Sequence, residues 1–245
     1  RKPNWILGSF SDVKKKHLEN IDLIVHLAAH SAQPPYDSLE ECILNNVLEP
    51  IKLFDKGFDA GIRKILVAGS CFEYGLSANF YDFIPPTAPL LPLDSYSSSK
   101  AMASIAFIQW AIEKKVSLSI QRLFHLYGRG ESEKRFFPSL KKAALSGKDF
   151  LMSGGEQIRD ICEINFATKI LYEECNRISN SNKSDVRIRN IGSGQQLSLK
   201  QFALNLWSEL NAKGKLKIGD LPYRDREIMR YVPDLEKIEI IREFL

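Results

Sequence analysis

No stretch of this chain approaches the roughly 18 consecutive apolar residues that a membrane-spanning helix needs. Nor do its first residues show the basic start and apolar core of a secretory signal. Cysteine is scarce. Cys42, Cys71, Cys162 and Cys175 are far apart and form no CxxC pair. That excludes a zinc ribbon or a disulfide framework and points to a reducing, cytoplasmic setting. An excess of charge is missing too: 34 Lys and Arg against 30 Asp and Glu leave a net +4, with the basic residues dispersed. The tightest cluster, Lys14-Lys15-Lys16, reads as a solvated helix face and not as a nucleic-acid patch. There is no internal repeat and no low-complexity linker. Metal ligation is not expected: His26 and His30 are four apart, but they fall at a strand end and in a loop, where that spacing does not bring side chains together.

What is present is the composition of a globular protein, 44% hydrophobic and 26% charged. Short apolar runs alternate with helical segments, the pattern of a parallel sheet covered by helices. Ile21 to Leu27 and Lys64 to Ala68 read as strands buried on both faces. A helix is predicted from Leu39 to about Ala60, stopped by Gly61. A long helix follows over Tyr96 to Lys115, then a strand from Ser117 to Leu123. Beyond Tyr127 the elements shorten. Helices are predicted over Phe137 to Leu145, from an Asn165 cap to about Asn176, and over Ser198 to Leu210, with a strand at Arg187 to Ile191. The fold class is therefore α/β, a Rossmann-like doubly wound parallel sheet with a smaller interleaved lobe. Residues 1–125 are expected to form an incomplete Rossmann portion, of the kind that binds a dinucleotide. Residues 126–245 form mainly a substrate lobe, with 187–210 returning to the sheet. Ligands of such sheets sit at the carboxyl ends of the strands.

The chemistry centres on Tyr96-Ser-Ser-Ser-Lys100. Four residues of helix put Tyr96 and Lys100 on one face, and no other of the eight tyrosines has a lysine four positions later. An ammonium beside a phenol favours the phenolate, so a depressed tyrosine pKa is expected. A tyrosine so tuned can move a proton to or from a substrate hydroxyl. Ser70 ends the Lys64 strand, where its hydroxyl can donate to the same oxygen.

These residues belong to a longer series. His26-Leu-Ala-Ala, Asn46-Val, Gly69-Ser-Cys-Phe-Glu-Tyr-Gly75, Arg122-Leu-Phe-His-Leu-Tyr-Gly128, Arg159-Asp-Ile, Asn190-Ile-Gly-Ser-Gly194 and Pro222-Tyr-Arg appear in sequence along with the Tyr96/Lys100 pair. In order and spacing the chain resembles the NAD-dependent epimerase/dehydratase family of extended short-chain dehydrogenases, over nearly its whole length. The resemblance implies NAD as cofactor, with NADP not excluded, and a nucleotide-diphosphate sugar as substrate. It also allows a homodimer. It implies a catalytic triad of Ser70, Tyr96 and Lys100. Leu27, Ala28 and Ala29 would line the cofactor cleft, Asn46 would support it, and Lys100 would hold the nicotinamide ribose. His125 would contact the sugar, Arg159 and Arg224 the diphosphate, and Glu227 the nucleotide ribose. A salt bridge from Arg159 to its neighbour Asp160 is the competing reading.

The chain departs from the family pattern in several places. The GxxGxxG loop that seats a pyrophosphate is not in it; on the resemblance it lies upstream of Arg1, with about 40 residues of the family's usual start. The family's last stretch likewise continues past Leu245. Trp5 to Leu7 and Ile21 to Leu27, as third and fourth strands, would then lack partners. Ser9 replaces an aspartate that touches adenine, and His125 replaces an asparagine. Gly192-Ser-Gly194 mimics a dinucleotide loop but lacks its third glycine and its downstream acid. Cys71 and Phe72 stand where sugar dehydratases carry Asp-Glu. Dehydration is therefore disfavoured, and an epimerase or a 4-ketoreductase is expected. A catalytically inactive member that only binds nucleotide sugar is the alternative.

Overall fold

The computed structural model describes residues 3–182 and 184–241. In chain order its strands and helices are β1 (Ile24–His26), α1 (Leu39–Ile43), α2 (Glu49–Asp59), β2 (Lys64–Ser70), α3 (Ser95–Lys114), β3 (Ser117–Leu123), β4 (Leu126–Tyr127), α4 (Phe136–Ser146), β5 (Phe150–Met152), β6 (Ile158–Asp160), β7 (Cys162–Glu163), α5 (Ile164–Asn180), β8 (Val186–Ile191), β9 (Gln196–Ser198), α6 (Leu199–Glu209), β10 (Leu216–Ile218), β11 (Arg230–Tyr231) and β12 (Ile238–Ile241). The main sheet runs β1-β2-β3-β8-β12. Its first four strands are parallel, and β12 closes one edge antiparallel to β8. No helix among the described residues is long and apolar enough to cross a membrane. All four cysteines are free thiols.

The strand expected over Ile21 to Leu27 shortens to β1, which pairs in parallel with β2, Ile24 opposite Ile65. The expectation that it would lack a partner is thus corrected, because a fourth strand of this order also borders the fifth. Trp5 to Leu7 forms no strand, and Trp5 is 83% exposed. The helix over Leu39 to Ala60 is one helical run interrupted by a π turn at Leu44–Leu48. Pro50 lacks the N–H that would bond back to residue 46, and this loosens the turn. Of the 187–210 segment expected to return to the sheet, only β8 does so. β9 pairs with β6 in a separate sheet, and α6 packs with α4 over Leu140, Met152 and Ala203. Asp160 of β6 accepts from the Ser193 and Gly194 N–H groups and so draws the chain after β8 to the separate sheet, and Ser198 then caps α6 by accepting from Gln201 N–H at 3.0 Å.

The core lies between the sheet and α2/α3, around Phe54, Val67, Phe107, Leu118, Ile120 and Ile188. His26 belongs to it. Its ring packs edge-on against Phe10, Phe54 and Phe107 at 5.5, 5.8 and 6.3 Å. Burial, and then the charge of Lys100, hold its pKa down at about 4 against the usual 6.5 of a histidine. The unfolded chain therefore binds a proton that the folded chain refuses between those values. The stability from this residue is complete above pH about 6.5, falls as pH drops, and levels off below about 4, amounting to about 3 kcal/mol. His26→Phe, which keeps an aromatic ring in the nest, should remove that part of the acid loss. Urea midpoints measured from neutral pH downward check this. Identical acid slopes for the variant and the parent would refute it.

Candidate active site

Ser70 stands at the carboxyl end of β2, and Tyr96 and Lys100 occupy successive turns of α3. The helix begins where it does because Asp94 caps it, its Oδ1 accepting from Ser97 N–H at 2.7 Å. All three side chains are buried, at 8%, 8% and 4% exposure. The Ser70 hydroxyl hydrogen-bonds the Tyr96 phenol, and it also accepts from Phe72 N–H at 3.2 Å. The Lys100 ammonium donates to the Ala68 carbonyl at 2.8 Å. The structure thus brings the triad together on one strand end and one helix face.

The electrostatics differ from the expectation drawn from spacing. Burial pushes the Tyr96 phenol up to about 12. The Ser70 hydrogen bond opposes it, while Cys71 and Glu73 add to the rise and Arg135 offsets part of it. Lys100 is itself lowered by burial, against the pull of Glu73. The predicted depression of Tyr96 is therefore corrected: the lysine is committed to Ala68, and desolvation of the phenol dominates.

Leu27, Ala28 and Ala29 follow β1 directly and are exposed, Leu27 at 56%. Asn46, buried in the π turn, clamps the next residue. Its Oδ1 accepts from His30 N–H at 2.7 Å, and its Nδ2 donates to His30 O at 3.1 Å and to Ser99 Oγ at 2.9 Å. Ser99 in turn donates to Tyr96 O at 2.8 Å. One amide therefore ties the loop after β1 to the helix that carries Tyr96. Ser9 holds Asp12, its N–H and Oγ each 2.8 Å from Asp12 Oδ2.

His125 is partly buried between Phe72 and Tyr231, both at 5.7 Å. Burial lowers its pKa to about 3, helped by Arg159 and Arg135, so the ring is neutral. Its Nδ1 is buried without a hydrogen-bond partner among the described residues, which suits it to a ligand hydroxyl. Arg159 is buried and donates to Glu227 Oε1 and Ile228 O, each at 2.7 Å. It does not pair with Asp160, because adjacent residues of a strand point to opposite faces. Asp160 instead accepts from Ser193 N–H, Ser193 Oγ and Gly194 N–H, each at 2.7 Å, and so folds the Gly192 loop around itself. Arg224 is exposed and acts on Tyr36 together with Arg135.

A family model described as the NAD dependent epimerase/dehydratase family matches residues 7–171. The chain belongs to that family. It is similar to the dTDP-6-deoxy-L-talose 4-dehydrogenase (NAD(+)) of Aggregatibacter actinomycetemcomitans, 25% identical over 224 residues, which cover 90% of this chain and 78% of that protein. Among solved structures it is similar to TunA, an NAD-dependent NDP-hexosamine 5,6-dehydratase, at 26% identity and TM-score 0.78, over 93% of this chain and 72% of that one. The same fold is shared with the UDP-N-acetylglucosamine 4-epimerase of Methanobrevibacter ruminantium M1, at 20% identity and TM-score 0.81, over 94% and 73%.

In this member of the family, the two positions after Ser70 hold no acid. Cys71 is 2% exposed, and burial pushes its thiol up to about 12. Phe72 lays its ring against His125 and Tyr231. Glu73 comes next but is fully buried against Arg122, at 2.8 Å. Sequence reasoning missed Tyr36 and Arg135. Tyr36 stacks on Tyr96, 5.9 Å between centroids and 17° between planes. Arg135 donates to Ala32 O at 2.9 Å and so holds the segment that carries Tyr36. Asp37 ends that segment, its carbonyl accepting from Ser95 Oγ at 2.7 Å and its carboxylate 2.8 Å from His30 Nε2. Glu41 lies close to these two, with one ligand atom from each of the three within 4.8 Å of the others.

Proposed function

We propose that the protein transfers hydride at a ring carbon of a nucleotide-diphosphate sugar, as an epimerase or a 4-ketoreductase, with NAD as cofactor. The single observation that carries this reading is the convergence of Ser70, Tyr96 and Lys100 on one strand end and one helix face. Tyr96 exchanges the proton of the reacting hydroxyl as general acid/base. Ser70 donates to the same oxygen and stabilises charge as it develops there. Lys100, with ammonium protons beyond the one given to Ala68, holds ribose hydroxyls of the cofactor. NAD, when bound over Leu27, Ala28 and Ala29, supplies the hydride exchange. Asn46 keeps that rim in register with Tyr96.

His125 positions the sugar through its Nδ1. Arg159 and Arg224 grip the diphosphate, for which a guanidinium fork is suited, and Glu227 sets the Arg159 fork while facing the nucleotide ribose. Cys71 and Phe72 supply no acid to expel a hydroxyl, which sets the reading apart from dehydration. The named activity of the Aggregatibacter relative, a 4-dehydrogenase, favours the ketoreductase of the two. The exposed apolar residues Leu44, Leu48, Met102 and Ile105 are surface that a homodimer would cover. Sedimentation that finds only monomer would remove that part of the proposal. The two-lobe division at about residue 125 and a cytoplasmic location complete it.

The test is an assay of the intact protein with NAD and a panel of dTDP- and UDP-sugars. A ketoreductase run in reverse releases NADH, whereas an epimerase interconverts two sugars without net NADH. Binding without either product would favour the non-catalytic alternative. Arg224→Ala should weaken nucleotide-sugar binding by roughly 10- to 150-fold, the worth of one charge-assisted hydrogen bond of about 1.5–3 kcal/mol. NAD affinity should stay unchanged. Calorimetric titration of both ligands checks this, and equal weakening of the two would show that Arg224 is structural.

A further inference from the structure

Behind Ser70 lies a buried polar network that the proposed chemistry does not use. Glu73 and Arg122, at 0% and 3% exposure, form its centre with Oε2 and Nε 2.8 Å apart. The other carboxylate oxygen of Glu73 accepts from Ser70 N–H at 2.7 Å. Oε2 also accepts from Ser104 Oγ at 2.7 Å, which anchors the group to α3. Arg122 extends the network to Tyr74 Oη at 3.0 Å and Pro86 O at 2.8 Å. Tyr74 donates to Asn190 Oδ1 at 2.6 Å, and Asn190 Nδ2 donates to Ile84 O at 2.7 Å. The network therefore joins β2, β3, α3 and β8 directly beneath the strand end that presents the serine.

The sequence makes room for it. A Cβ on Gly69 would lie 2.9 Å from both Arg122 Cγ and Glu73 Oε1, so only glycine lets the pair press against the strand. Ser70 and Glu73 together cap the short turn that follows, with Ser70 Oγ accepting from Phe72 N–H while Glu73 accepts from Ser70 N–H. The serine is thus held at its amide by a carboxylate and at its hydroxyl by an amide, which aims the hydroxyl at Tyr96.

We propose that Glu73, backed by Arg122, is a positioning residue that fixes the Ser70 hydroxyl under Tyr96. It touches no substrate and acts through Ser70. The proposal rests on the reading that Ser70 works on the reacting oxygen. A misplacement of order 1 Å at a catalytic group can cost up to about 100-fold in rate.

The test uses the intact protein and a double replacement, Glu73→Met with Arg122→Met, which exchanges the ion pair for apolar volume and so spares the fold. Thermal unfolding and NAD titration confirm that the variant is folded and binds cofactor. The expected result is a fall in kcat of about 10- to 100-fold with KM for the nucleotide sugar unchanged. Ser70→Ala is then made alone and in the double-Met background. Groups that act through one another are non-additive, so adding the double replacement to Ser70→Ala should lower kcat no further. Two outcomes overturn the proposal. A folded double-Met variant with wild-type kcat, beside an impaired Ser70→Ala, defeats the positioning role alone. A Ser70→Ala variant with wild-type kcat defeats the role of Ser70 and takes the positioning role with it.

Discussion

Tyr96→Phe lowers turnover by about 100-fold or more on the proposed chemistry, the loss that follows removal of a general acid/base. The phenol oxygen is the only atom removed, and the ring stays in its stack with Tyr36. Nucleotide-sugar and NAD affinities should therefore persist. Single-turnover kinetics at saturating substrate check the prediction, and near-wild-type turnover would end the assignment. The pH dependence should carry the same signature. Burial holds the phenol at about 12 in the structure, far above neutrality, so turnover in the oxidising direction should climb with pH across the alkaline range. Deprotonation of a group with so high a pKa is uphill at neutral pH, and any ligand that brings positive charge beside it lowers that cost.

Arg122→Met is expected to be among the most destabilising single changes in the chain. It leaves Glu73, fully buried at 0% exposure, as an anion without its partner. Breaking a buried pair in this way costs about 3–5 kcal/mol, a large share of the roughly 5–15 kcal/mol that holds a domain together. Replacing Glu73 as well should restore most of the loss, because an apolar pair of similar volume carries no desolvation penalty. Urea unfolding of the two variants makes the comparison. A single variant within about 1 kcal/mol of the parent would mean that water or another cation already reaches Glu73.

Much of this fold could be read from the sequence, and the reasons are local. The ends of α3 follow from Asp94 as cap and from Lys115 in the left-handed region at φ 53°, and β3 spans the predicted residues. The apolar run before Gly69 gave β2, and the apolar–arginine alternation of Val186 to Arg189 marks β8. What the sequence hid was long-range. Spacing put Tyr96 and Lys100 on one face but could not show that the ammonium points to Ala68, nor that desolvation would outweigh it. Asp160 was the nearest carboxylate to Arg159 in the chain, yet strand alternation sends it the other way, and the partner is Glu227, distant in sequence. Tyr36 carried no pattern at all; only the closure of the 31–37 segment by Arg135, Ser95 and His30 sets it on Tyr96. Glu73 was legible in principle, since Ser70-Cys-Phe-Glu73 has the spacing of a capping box.

The most direct measurement follows the transferred hydrogen. The intact protein is incubated with NAD and a nucleotide sugar deuterated at C4, and the label is traced by mass spectrometry. On the proposed chemistry deuterium moves to the nicotinamide ring, or passes through it and returns to C4 of an epimer, with Tyr96→Phe suppressing the movement. If the deuterium stays at C4 of the unchanged sugar while both NAD and a dTDP- or UDP-sugar that binds are shown to occupy the protein, the proposed hydride-transfer function is contradicted.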